Sequence, residues 1–251
     1  KRGGGTTMCQ LAIENGENFT DMGDPVSCNS APSNDYKIWQ PRLHPDCADY
    51  EMEWLASGWT WSQIERPFLT QDHCPDLFFY GTMLRHPVEL ALSRTNFFNA
   101  DSGFDGGLDW QRIATCVEQR QAGHGAACAG ELFLPSAHAL WVVLDNFLTR
   151  MFGGLDVWML PPGHVNATHR QLALDRLSSF DMVLTLERLD SNQTRDALRK
   201  AFGWSSFGKG HERINIFKIV RFSEDDVKRV SRLNEHDMIL YETFKDREAG
   251  M

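Results

Sequence analysis

Apolar and polar positions alternate between a helical and a strand period along the chain, and they mark out most of its elements. Met8-Cys9-Gln10-Leu11-Ala12-Ile13 opens a helical pattern directly after a glycine-rich start. Gly16 to Pro41 is rich in Asn, Asp, Ser, Pro and Gly without a sustained period, which predicts a long surface connection. Asp49-Tyr50-Glu51-Met52-Glu53-Trp54 alternates acid with apolar residue and predicts a half-buried strand, with Glu51 and Glu53 on one face. The aromatic run Leu77 to Leu84 predicts a buried parallel strand. Pro87 then suits the first turn of a helix whose inner face is Val88, Leu90, Ala91, Leu92, Thr95 and Phe98.

Further on, Leu108 to Gln121 reads as a helix, and Ala137 to Phe152 as a long apolar helix closed by Gly153-Gly154. Pro161-Pro162-Gly163 breaks the chain before a helix at about Thr168 to Leu177. Met182 to Leu186 is the third strand, followed by a helix over Thr194 to Phe202. Ser223 to Arg247 carries an N-cap serine, acids in its first turn, and a packing face of Leu233, Met238, Ile239, Leu240 and Phe244. Strands alternating with helices favour a parallel sheet covered on both faces. At 251 residues the chain suits one α/β domain spanning 1–251.

Charge and composition narrow the function. A net charge of -9 argues against a general nucleic-acid binder, since polyanion affinity comes from clustered Lys and Arg. No apolar run approaches the ~20 residues of a membrane helix. Because the chain opens inside what reads as a strand-to-helix turn, an upstream strand and a targeting segment or membrane anchor are expected before it. Cys9, Cys28, Cys47, Cys74, Cys116 and Cys128 lack paired C-x-x-C spacing, leaving disulfides or buried thiols. Cys28 and Cys47 could pin the long connection, and Cys116 and Cys128 could close the segment between them. The sequons at Asn18, Asn166 and Asn192 fit a lumenal protein.

The opening Lys1-Arg2-Gly3-Gly4-Gly5-Thr6-Thr7 is built as an anion cradle. Glycines let the backbone aim several N–H groups at one guest, and a helix N-terminus adds partial positive charge. This stretch resembles the 5'-phosphosulfate loop of sulfotransferases that use 3'-phosphoadenosine 5'-phosphosulfate (PAPS). There a strand ends in Lys-x-Gly-Gly/Ser-Thr-Ser/Thr and runs into a helix. The family's lysine falls on Arg2 without a gap, or on Lys1 with a loop one residue longer. Arg85-His86-Pro87-Val88-Glu89-Leu90-Ala91-Leu92-Ser93 resembles the family's 3'-phosphate motif, with His86 where an acid is commoner. Asn146-Phe147-Leu148-Thr149-Arg150-Met151-Phe152-Gly153 is similar to the Asn-x-x-Thr/Val-Arg-x-Leu-x-Gly segment of the carbohydrate-type enzymes.

The resemblance implies a three-layer parallel sheet flanked by helices, like that of P-loop nucleotide triphosphatases. It implies sulfuryl transfer from PAPS to a hydroxyl on an acceptor, expected to be a glycan, in the Golgi lumen. The product would be 3'-phosphoadenosine 5'-phosphate, with no metal needed. The donor would be held by Lys1, Arg2, Gly3, Gly4, Gly5, Thr6, Thr7, Arg85, Ser93 and Arg150. Lys1 or Arg2 would neutralise the leaving oxygen, and Glu53 would take the acceptor's proton, with Glu51 and His44 as alternatives. Phe207-Gly208-Lys209-Gly210-His211 could form a basic lid or a solvated turn, and Trp54, Trp59 and Trp61 could stack on a sugar or pack in the core. Two other classes stay open: a phosphotransferase or nucleotide hydrolase using magnesium, and a non-catalytic glycan-binding module.

Overall fold

The structure is a computed structural model, and it describes residues 5–19, 28, 47–64, 66–101, 109–124, 141–208 and 220–247. It is mixed α/β and mostly helical, with a two-stranded parallel sheet. In chain order the elements are α1 (Gly5–Glu14), α2 (Cys47–Ser57), β1 (Gly81–Leu84), α3 (Pro87–Asp101), α4 (Trp110–Gln121), α5 (Phe147–Gly153) and α6 (Leu155–Trp158). Then come α7 (Ala167–Ser178), β2 (Met182–Thr185), α8 (Asn192–Phe202), α9 (Glu224–Leu233) and α10 (Glu235–Phe244). The chain falls into two compact units: Lys1–Met83 with Phe180–Glu212 and Arg247–Met251, and Leu84–Ser179 with Arg213–Asp246.

In the first unit β2 is buried along its whole length and forms a core with Leu11 and Ala12 of α1, Leu198 of α8, and Trp204. Asn15 fastens the end of α1 to the chain after α8: its Oδ1 accepts from the backbone N–H groups of Ser205 and Ser206, each at 2.9 Å, and its Nδ2 donates to Ser206 O. Gly203 ends α8 at φ 71, the left-handed turn that glycine adopts without a Cβ penalty. Disulfides join Cys9 of α1 to Cys28 and Cys47 of α2 to Cys74. Cys116 is also disulfide-bonded.

Two segments expected as strands fold differently. Asp49 to Trp54 is part of helix α2, not a strand. Its inward positions are Cys47, Tyr50 and Trp54, spaced i, i+3, i+7, and all three reach the segment 72–78. Cys47 is bonded to Cys74, the Tyr50 hydroxyl donates to Asp72 at 3.3 Å, and Trp54 lies 5.0 Å from Phe78. The expected strand at Leu77 to Leu84 narrows to Gly81–Leu84, and only Leu84 of it is buried. The described sheet therefore has two strands where three were expected, and the three-layer arrangement is not reproduced among the described residues.

The second unit packs α3, α4, α9 and residues 141–144 around Val88, Ala91, Trp110, Ala114, Val117 and Leu144. Asp109 caps α4 by accepting from the N–H groups of Gln111 and Arg112. Ser223 and Asp226 form a capping box that starts α9. The long helix expected at Ala137 to Phe152 is interrupted: residues 141–143 are helical, the chain turns at 144–146, and α5 starts anew at Phe147. The expected C-terminal helix likewise divides at Asn234 into α9 and α10.

Gly163 stands at φ +81, where a Cβ would lie 2.7 Å from the backbone N and 2.8 Å from the Cα of Gln121. Both the torsion and the space exclude a side chain. Gly163→Ala is expected to destabilise the fold by about 2 kcal/mol or more, read as a lower urea midpoint at unchanged slope.

Candidate functional site

The described part of the opening cradle is Gly5, Thr6 and Thr7, and it forms the first turn of α1. Lys1, Arg2, Gly3 and Gly4 lie outside the described residues. The first N–H groups of a helix have no intrahelical partner and carry partial positive charge. No acidic residue stands in the first turn of α1 to neutralise it. The helix itself is held firmly, by the Cys9 disulfide and by the burial of Leu11 and Ala12.

The Arg85 to Ser93 stretch has the strand-turn-helix form read from the sequence. β1 ends at Leu84, Pro87 occupies the first position of α3, and Leu90 N–H donates to His86 O at 2.9 Å as the helix begins. Arg85 thus sits on the link leaving the carboxyl end of a strand, where open α/β sheets bind ligands. Its side chain is 20% exposed and pairs with Glu89 at 3.9 Å. Such a long contact to a half-exposed carboxylate is weak. Ser93, two helical turns on, is buried. His86, at the motif's acid position, packs edge to face on Tyr241 of α10, with ring centroids 5.1 Å apart.

Glu53, the expected base, is on α2 and solvent-exposed, as is Glu51. His44, Lys209 and His211 lie outside the described residues. The three tryptophans separate. Trp61 joins the core of the first unit, 5.6 Å from Phe202 and 5.1 Å from Trp204. Trp54 and Trp59 remain half-buried and meet edge on at 6.1 Å.

Arg150 was expected to face the nucleotide, and the structure places it differently. Its guanidinium is fully buried, paired with the equally buried Asp145 carboxylate. Nε donates to Asp145 O at 2.8 Å, Nη1 to Val157 O and Trp158 O at 3.2 Å and to Leu160 O at 2.6 Å, and Nη2 to Pro161 O at 3.1 Å. The ring of Trp141 lies 4.9 Å from the guanidinium carbon. With every N–H committed, the group has no donor to offer a phosphate in this conformation.

Sequence reasoning missed the polar network beside this pair. Asp237 accepts from Leu148 N–H at 2.6 Å and Thr149 N–H at 2.7 Å, capping α5 from α10. Asn146 returns the service, its Oδ1 accepting from His236 N–H at 3.0 Å and Asp237 N–H at 3.3 Å at the start of α10. Asn146 N–H donates to Asn234 Oδ1 at 2.8 Å. Burial pushes the Asp237 carboxyl up to about 6, against the N–H groups of Thr149 and Leu148 that favour its ionised form. The available signal was two polar residues, Asp145-Asn146, inside an apolar run, matched by Asn234 inside the last helical stretch.

Among the described residues no three His, Cys, Asp or Glu side chains stand together as a metal cluster. No protein-family model, curated protein or solved structure matches the chain.

Two outcomes test this network. Arg150→Met strips the Asp145 carboxylate of its buried partner and is expected to cost about 3–5 kcal/mol in denaturant unfolding. Asp237 has a folded pKa near 6 against an ordinary 3.8, so the folded state binds the extra proton in between. The stability this supplies is full below about pH 4 and is lost as pH rises through about 6, roughly 3 kcal/mol in all. Asp237→Asn should flatten that slope in urea midpoints measured from pH 4 to 7.

Proposed function

We propose that the chain is a PAPS-dependent sulfotransferase of the carbohydrate type, transferring a sulfuryl group to an acceptor hydroxyl. The observation that carries the reading is the connection from β1 to α3, with Arg85 leaving the strand end and Ser93 buried two turns into the helix. Arg85 and Ser93 would hold the donor's 3'-phosphate. The N-terminal turn of α1 at Gly5, Thr6 and Thr7, with Lys1 or Arg2 before it, would hold the 5'-phosphosulfate. Arg150 is left out of the ligand set because its donors are spent within the fold. The three-layer sheet of this family belongs to the same proposal.

In the proposed reaction the acceptor oxygen attacks sulfur in line. The bond from sulfur to the bridging phosphate oxygen breaks, and 3'-phosphoadenosine 5'-phosphate leaves. Backbone N–H groups and the adjacent cation would stabilise charge building on that oxygen. The hydroxyl proton would pass to Glu53 on α2, or to Glu51 or His44. The Cys9–Cys28 and Cys47–Cys74 disulfides are compatible with a secreted or lumenal setting, and the Golgi lumen is the proposed one.

The test is a thermal-shift titration with 3'-phosphoadenosine 5'-phosphate against ATP-magnesium. A ligand that binds only the folded state at about 100 times its Kd adds ~2.7 kcal/mol, so a clear rise with the first ligand is expected. Arg85→Ala should weaken that binding about tenfold to a hundredfold, the ~1.5–3 kcal/mol of a hydrogen bond to a charged group. Glu53→Gln should leave the shift intact and lower sulfate transfer. Stabilisation by ATP-magnesium alone would overturn the assignment, and acceptor binding without sulfate transfer, unchanged by Glu53→Gln, would favour a non-catalytic glycan-binding module.

A further inference from the structure

We infer that Asn166 and Asn192 carry N-linked glycans and that Asn18 does not, a modification pattern independent of the proposed reaction. All three asparagines begin an Asn-x-Thr triplet, so sequence alone does not separate them. What separates them is the use the fold makes of each amide nitrogen. In the modification the sugar C1 leaves a lipid-linked pyrophosphate and forms a bond to Asn Nδ2. The C1–O bond breaks, the lipid pyrophosphate departs as an anion, and one of the two amide protons passes to a base of the transferase. The product keeps the side-chain carbonyl as an acceptor but has a sugar on the nitrogen.

Asn166 suits that product. It is exposed at the N-cap of α7, where Oδ1 accepts from Thr168 N–H at 2.9 Å and His169 N–H at 3.2 Å. The cap uses only the oxygen, and Nδ2 donates no hydrogen bond among the described residues. Asn192 is exposed at the first position of α8, and Ser191, not Asn192, supplies that helix's cap. Its amide is likewise unengaged among the described residues. At both sites a glycan would leave every described contact in place.

Asn18 is held differently. Its Nδ2 donates to Gly58 O at 2.6 Å, and its backbone N–H donates to Thr60 Oγ1 at 2.8 Å. Its carbonyl accepts from Thr60 N–H at 2.6 Å and Trp61 N–H at 3.0 Å. The nitrogen that would carry the sugar therefore faces the chain after α2, where even a Cβ on Gly58 would come within 3.5 Å of it. The Cys9–Cys28 and Cys47–Cys74 bridges call for the oxidising compartment in which this transfer occurs.

The experiment is to pass the chain through the secretory pathway of animal cells behind a cleavable leader and to map each asparagine. The endoglycosidase that converts a glycosylated Asn to Asp is used in heavy-oxygen water, followed by peptide mass spectrometry. Label at positions 166 and 192 with native asparagine at 18 is the expected result. Asn166→Gln and Asn192→Gln should each remove one glycan's worth of mass from the intact protein, and the pair should remove both. Unmodified asparagine at 166 or at 192, or label at 18, would overturn the inference.

Discussion

The buried pair of Arg150 and Asp145 is the constraint on which the second unit depends. Taking two charges out of water costs several kcal/mol each, and mutual attraction offsets this only when the remaining donors and acceptors are satisfied. Here they are. The guanidinium gathers the carbonyls of Val157, Trp158, Leu160 and Pro161, which lie at the end of α6 and just beyond it. Asp145 Oδ2 also accepts from Gly163 N–H at 3.0 Å, and Oδ1 from Gln121 Nε2 at 3.2 Å. A helix as short as α6, Leu155–Trp158, is not stable by itself. It persists because a cation stands at its negative end and collects the carbonyls there.

The same economy governs the neighbouring helix starts. α5 and α10 each present orphan N–H groups in a buried region, α5 being capped by Asp237 of α10 and α10 by Asn146 at the start of α5. Asn146 adopts φ 59 to do so, a left-handed conformation that asparagine tolerates better than most residues. The exchange makes the two helix starts interdependent. It also explains why an aspartate is kept at a position with 1% exposure: a neutral apolar residue there would strand the N–H groups of Leu148 and Thr149.

Local signals were readable wherever a local cause decides the structure. Pro87 and Ser223 mark the starts of α3 and α9, Gly203 marks the end of α8, and the Met182 run marks β2. At Asp49 to Trp54 the alternating acids fit a strand as well as a helix. The deciding partners, Cys74, Asp72 and Phe78, lie more than twenty residues on. Asp145-Asn146 was read as part of one apolar helix because its partners at 234 to 237 are remote in sequence. For the candidate site, the β1–α3 link and the α1 start were legible as backbone geometry. The burial of Arg150 was not, since an arginine near a helix end reads identically whether it faces water or a ring of carbonyls.

A motif-like spacing can reflect what a ligand needs or what the fold needs, and the use of polar groups distinguishes the two. Much of the segment from Asn146 to Gly153 is used by folding: Asn146 caps α10, the N–H groups of Leu148 and Thr149 are capped by Asp237, and Arg150 closes a helix end. Its arginine therefore lends its weight to architecture. Arg85 differs in its place: it is a partly exposed cation on the link leaving the carboxyl end of β1, where open α/β sheets bind ligands, and the proposed function rests on that position.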